Sequence, residues 1–268
     1  MFISSNLVFL ELHKTGTTHV QKILDEVLDG DIRGKHNQLK RTVFDQNTLY
    51  LGSIWNPWAW YCSLWSYGCD SAGMLYGKLT RTRRRLGRPL HWMSRPRETY
   101  GETLRLPSKD WRETYRDARD PEAFRTWLKM LLDSPHRRDI GEGYGSSPVS
   151  SVCGLMTYRY LRLFCTFRGE DAALKKLLSA QEVERYEQQN NFITHFVRTE
   201  SLERDLFAIL SESGITLSDA AEDKVLNMPK TNSSVRPLGL ADYYDEETAA
   251  LVARKDWILI DKFGYRLE

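Results

Sequence analysis

The residues best suited to chemistry lie near the start of the chain, in the run His13-Lys14-Thr15-Gly16-Thr17-Thr18. The run separates an apolar stretch, Leu7 to Leu12, from a segment in which Val20, Ile23, Leu24, Val27 and Leu28 recur at helical spacing. A strand, a tight turn and a helix in that order leave backbone N–H groups free at the positive end of the helix dipole, which favours an anion. Gly16 lets the backbone turn closely around such an anion, the hydroxyls of Thr15, Thr17 and Thr18 add donors, and Lys14 adds a full positive charge. The order is not that of a GxxxxGK[ST] nucleotide loop, because the glycine here follows the lysine. An ordinary strand-to-helix turn with capping threonines has the same residues, so the loop alone leaves both readings open.

The elements that must position this loop are legible further along. A second strand, about Thr48 to Ile54, ends at Asn56-Pro57, and that proline suits the first turn of the next helix. Asp120-Pro121-Glu122 supplies a cap and a first helical residue for a helix running to about Leu132. The Gly/Ser-rich stretch Gly141 to Ser151 reads as a loop, Gly154 to Cys165 as a helix, and Phe192 to Val197 as a strand. Ser201 to Leu210 reads as a helix stopped near Gly214, and Asp245 to Lys255 as a later amphipathic helix. Alternating strands and helices predict an α/β fold with a parallel, doubly wound sheet flanked by helices. Residues 1–268 are expected to form one domain, with a helical or irregular insertion or lid at about 68–120, where Arg, Gly and Pro are frequent and no period is evident.

Composition narrows the function classes. The chain is 41% hydrophobic and 28% charged with a net charge of +2, which suits a globular protein and does not point to nucleic acid as the main partner. No apolar run approaches the roughly 20 residues that span a bilayer, and the N-terminal stretch lacks a basic n-region, so a cytoplasmic location is the expectation. Cys62, Cys69, Cys153 and Cys165 show no CxxC spacing and read as free thiols.

The loop resembles the PKTGTTW or HKTGTT loop of sulfotransferases, which transfer a sulfonate group from 3'-phosphoadenylyl sulfate (PAPS) and release adenosine 3',5'-bisphosphate (PAP). The resemblance implies a P-loop-like sheet in which Lys14 to Thr18 cradle the 5'-phosphosulfate and Lys14 faces the oxygen between phosphate and sulfate. A second family motif, R-[ND]-P-x-x-x-x-x-S, aligns with Trp55 to Ser63: Asn56, Pro57 and Ser63 fit, but Trp55 stands where the arginine belongs. The resemblance gives Ser63 a role on the 3'-phosphate, while tryptophan cannot supply the missing charge. Trp58, Trp60, Tyr61 and Trp65 in the same stretch read as packing residues. Near the C-terminus, Lys230 to Arg236 resembles the N-x-S-x-R loop that closes over the nucleotide in bacterial members, assigning Asn232, Ser234 and Arg236 to the cofactor, with Lys230 and Arg236 able to supply charge. Gly154 to Tyr160, Phe196 to Leu202 and Asp261 to Tyr265 are further family-like passages.

Sulfonate transfer needs a base for the acceptor hydroxyl and a cation on the departing phosphate, and it requires no metal. His36, 22 positions past Lys14, follows the first helix and a turn at Gly30 to Gly34, where a strand should return to the same end of the sheet. Glycan sulfotransferases carry a carboxylate base at about that distance, and many bacterial relatives a Lys-His pair. His36 is therefore the expected base, with His13 and His19 as rivals. Between Lys78 and Arg97 there are eight basic residues and no acidic one, which is either a solvated face or the border of a cleft for an anionic acceptor such as an acidic glycan. Two other functions fit the loop: a non-catalytic PAP-binding protein, because of Trp55, and a nucleotide-dependent phosphotransferase.

Overall fold

A computed structural model describes residues 1–80, 109–215, 217, 222, 225 and 237–267. The basic stretch from Arg81 to Arg97 and the loop carrying Lys230, Asn232, Ser234 and Arg236 lie outside the described residues. The strands are β1 (Phe2–Ser4), β2 (Leu7–Leu10), β3 (Gly30–Ile32), β4 (Leu49–Ile54) and β5 (His195–Arg198). Among the described residues, α-helices of five or more residues are α1 (Thr17–Val27), α2 (Pro57–Cys69), α3 (Met74–Thr80), α4 (Lys109–Glu113), α5 (Pro121–Leu132), α6 (Leu155–Phe164), α7 (Ala180–Asn190), α8 (Leu202–Glu212), α9 (Glu246–Lys255) and α10 (Trp257–Phe263).

The strands form one sheet in the order β3, β1, β2, β4, β5. β2 pairs with β4, and β4 with β5, in parallel, but β1 is antiparallel to both β2 and β3. The all-parallel sheet expected from the sequence is thus corrected to a mixed one. The cause is local, since only Ser5 and Asn6 separate β1 from β2, and so short a link joins strands only as an antiparallel hairpin. Because β1 opposes both neighbours, β3 runs in the direction of β2 and delivers His36 to the end of the sheet where Lys14 lies. The turn expected at Gly30 to Gly34 therefore begins as a strand.

Side chains alternate across the sheet as the pleat requires. Phe2, Leu7, Phe9, Leu51 and Val197 pack with Val20, Ile23 and Leu24 of α1 and with Leu206 and Leu210 of α8. On the other face Val8, Leu10, Tyr50 and Ile54 meet α2, α5 and α6. The result is an α/β protein with helices on both faces of the sheet. α2 is buried nearly all round, with Trp58, Trp60, Tyr61 and Trp65 in the larger core, as the packing reading of those aromatics requires. Leu75, Leu79 and Trp111 of α3 and α4 also belong to that core, so both flanks of the expected insertion are built into the fold.

The expected cap at Asp120 forms, and Asn56 and Asp245 cap their helices in the same way. Asn56 accepts from the Trp58 N–H at 3.0 Å, Asp120 from Glu122 and Ala123, and Asp245 from Thr248. Two strand ends shift: β2 stops at Leu10 because the Thr15 hydroxyl donates to the Leu12 carbonyl at 2.8 Å, and β5 begins only at His195 because the Phe192 N–H donates to the Phe164 carbonyl. All four cysteines are free. Among the described residues no helix is long and apolar enough to cross a membrane.

Asp256, between α9 and α10, ties three elements together. Its carboxylate accepts from the Thr157 N–H at 2.9 Å, the Thr157 hydroxyl at 2.7 Å and the Tyr61 hydroxyl at 2.7 Å, and it is fully buried. Gly154 at the start of α6 makes room for it, because a Cβ there would lie 2.2 Å from Oδ2. Asp256→Ala takes the acceptor from the Thr157 N–H in the first turn of α6 and from two buried hydroxyls. It is expected to lower unfolding free energy by about 2–4 kcal/mol, read from urea midpoints, with Asp256→Asn losing less.

Candidate functional site

The loop between β2 and α1 is held from three sides. The Trp60 indole N–H donates to the His13 carbonyl at 2.6 Å, and Thr15 Oγ1 shares a hydrogen bond with Ser53 Oγ of β4 at 2.6 Å. Gly16 is the αL N-cap of α1 at φ 68°, where a Cβ would also lie 2.5 Å from Leu202 Cδ1. Because the Thr15 hydroxyl is engaged with Leu12 and Ser53, its expected role as an anion donor is corrected to a structural one, leaving only its backbone N–H for a ligand. Thr17 and Thr18 open the helix, whose first N–H groups have no intrahelical acceptor and whose first turn has no acidic residue. Thr18 Oγ1 accepts from Lys35 Nζ at 3.1 Å, so a second lysine reaches this helix end. Lys14 Nζ lies 4.1 Å from the centre of the Tyr67 ring; burial lowers its pKa from the ordinary lysine value, against the raising charge of Asp70.

His36 is brought to the same loop. Its ring stacks on that of His13 with centroids 3.8 Å apart and planes 15° apart. Its Nδ1 lies 2.8 Å from the Glu11 carbonyl, which can only accept, so Nδ1 carries the proton and the neutral ring keeps a lone pair on Nε2. The His36 N–H also donates to Glu11 Oε2 at 3.3 Å. Burial holds the His36 pKa below the ordinary 6.5; the Glu11 hydrogen bond and carboxylate oppose this and Arg159 reinforces it. His13 is held well below 6.5 by burial, then by the charges of Arg159, His36 and Arg162. His19, the other rival base, points elsewhere, with Nε2 2.9 Å from Glu203 Oε1.

His13 and His36 line a cleft of about 160 Å³ together with Gln38, Glu142, Arg159 and Arg162. Arg159 gives Glu142 a two-pronged ion pair, at 3.0 and 2.7 Å, from a side chain that is 4% exposed. Burial pushes the Glu142 carboxyl up, but Arg159 outweighs it and the net shift is downward. Sequence reasoning missed both residues. Arg159 sits in the family-like passage Gly154 to Tyr160, and Glu142 stands between Gly141 and Gly143 in a stretch read only as a loop. Lys14, His36 and Glu142 are three of the four non-glycine residues with positive φ among those described, the fourth being Ser71. Backbone strain thus concentrates around the candidate site.

The second motif lies alongside. Asn56 Nδ2 donates to the Arg266 carbonyl at 2.7 Å, so its side chain joins α2 to the C-terminal segment. Ser63 is one turn before Tyr67 on the same face of α2 and is 2% exposed. Trp55 is half-buried and packs against the larger core. No family model, curated protein or solved structure matches the chain.

Two histidines held neutral make stability depend on pH. Their folded pKa values lie below the unfolded 6.5, so the unfolded chain binds more protons in the window between. The associated stability is complete above that unfolded value and is lost as pH falls through the folded values. Urea midpoints are expected to drop between about pH 7 and about pH 5, and His13→Phe, which keeps a ring against His36, is expected to flatten the slope.

Proposed function

We propose that this chain is a sulfotransferase that moves a sulfonate group from PAPS to an acceptor hydroxyl. One observation carries the reading: a half-buried lysine in a strand-to-helix anion loop is followed by a helix end free of acidic residues, and the histidine preceding that lysine stacks on a second histidine held as a neutral base. The P-loop-like character of the sheet belongs to this proposal. PAPS supplies an activated sulfonate as co-substrate. The residues present suit its phosphosulfate end: N–H groups of α1 and the Lys14 ammonium for the charge, with water partly excluded so that each interaction is strengthened. The 3'-phosphate is assigned by the sequence resemblance to Ser63, Asn232, Ser234 and Arg236.

In the transfer, His36 Nε2 takes the acceptor's proton as the acceptor oxygen bonds to sulfur, and the bond from sulfur to the bridging oxygen breaks in line. The departing phosphate oxygen keeps the electron pair, and Lys14 holds the charge there. Glu11 keeps the His36 ring in the tautomer that can accept the proton, and Trp60 fixes the carbonyl next to Lys14. The core packing of Trp55 favours a second reading, in which the chain binds PAP without turnover.

Calorimetry is expected to show binding of PAP and none of ATP; failure to bind PAP overturns both readings. Lys14→Ala should reduce turnover by about 10²–10³-fold while leaving the urea midpoint unchanged. Replacing His36 by Ala should lower the rate by about 10²–10⁴-fold with little change in PAP affinity. Retained activity in Lys14→Ala sinks the assignment of that residue. A wild-type chain that binds PAP but turns over no hydroxyl acceptor supports the second reading.

A further inference from the structure

The cleft beside His36 has a composition that the anion loop does not require. Its volume, about 160 Å³, equals that of about five waters in the liquid. It is open to solvent and lies below the ~300–1,000 Å³ of sites that enclose a drug-sized ligand, so one compact group fills it. Leu163 is its one aliphatic lining residue, against three arginines, Arg159, Arg162 and Arg168.

These guanidiniums differ in what they can still bind. Arg159 is matched by Glu142. Arg162 gives its Nε–H to Asp171 at 3.3 Å, and its two terminal nitrogens have no acceptor among the described residues. Arg168 is exposed, and its side chain has no hydrogen bond or ion pair among the described residues; its backbone N–H donates to the Leu39 carbonyl at 2.8 Å. Gln38 donates to the Arg162 carbonyl and to Asp171 Oδ1, each at 2.9 Å, so the wall carrying Arg162 is joined to the segment carrying His36. A lipid chain or the ring of a phenol would cover guanidinium groups without giving them an acceptor, which is costly. A carboxylate meets the planar fork of arginine in matching geometry.

We propose that this cleft is the acceptor subsite and selects a compact, hydroxyl-bearing carboxylate, with Arg162 and Arg168 on the carboxylate and His36 on the hydroxyl. The role of His36 rests on the transfer reading above, whereas the preference for a carboxylate rests on the arginines.

The test measures binding of D-glucuronate, D-glucose, acetate and 4-nitrophenol to the full chain by ligand-observed NMR, with and without saturating PAP. Glucuronate is expected to bind at least about tenfold more tightly than glucose, acetate or nitrophenol, and PAP is not expected to displace it. Arg162→Gln and Arg168→Ala should each weaken glucuronate about tenfold, with an unchanged urea midpoint as the check of folding. The inference is overturned by absence of glucuronate binding, by glucose, acetate or nitrophenol matching it, by displacement with PAP, or by full affinity in both folded variants. If glucuronate selectivity holds while PAP fails to bind, the transfer reading falls and the carboxylate site stands.

Discussion

The parallel pairing of β2 with β4, from Leu7 opposite Leu49 to Leu10 opposite Gly52, is the constraint on which the rest of the structure depends. It ends both strands at one edge of the sheet, so the loop after β2 and the start of α2 after β4 become neighbours. Thr15 and Ser53 lock the two ends by a hydrogen bond, and the Trp60 indole in α2 reaches back to His13. Both bonds are buried or nearly so, where an unmatched donor would be costly. The loop's shape is therefore fixed by the sheet and by α2, and the ammonium of the lysine it carries rests over the Tyr67 ring of α2.

The same edge gathers charge in an environment that changes what the charges can do. Burial holds two histidines neutral, and the nearby arginines reinforce the effect. A neutral imidazole with its Nδ1 proton given to a carbonyl is a base with a defined open position. Glu142 matches Arg159 and so limits the positive field around the cleft, whereas the terminal nitrogens of Arg162 and the Arg168 side chain have no acceptor among the described residues. Positive φ at Lys14, His36 and Glu142 shows the backbone held in disfavoured conformations around the candidate site. The packing of α2 and the Asp256 junction supply the rigidity that holds such conformations in place.

Local signals in the sequence were sufficient for the elements that rest on local physics. The cap at Asp120, the prolines at Pro57 and Pro121, and the apolar periodicity after Gly16 marked where helices begin, because a cap is satisfied within three residues of itself. The loop between β2 and α1 was legible for the same reason: its glycine, its lysine and its place between strand and helix are contiguous. β1 and β3 were not legible, since each has three residues and too little pattern to show period. The mixed sheet followed from them, because one short hairpin reversed the direction of a strand.

What only the tertiary structure decided is which side chains meet. The stacking of His13 on His36, the turning of the Thr15 hydroxyl inward and the pairing of Glu142 with Arg159 join residues from separate elements. Each depends on sheet order and on which faces are buried, and no residue type or spacing encodes that. The sequence by itself determined a strand, a tight loop and a helix with a lysine at the corner, because those features follow from neighbouring residues. The identity of the cleft beside them was decided by long-range packing, which brings a histidine from beyond α1 and arginines from α6 and from Arg168, just beyond it, to one surface.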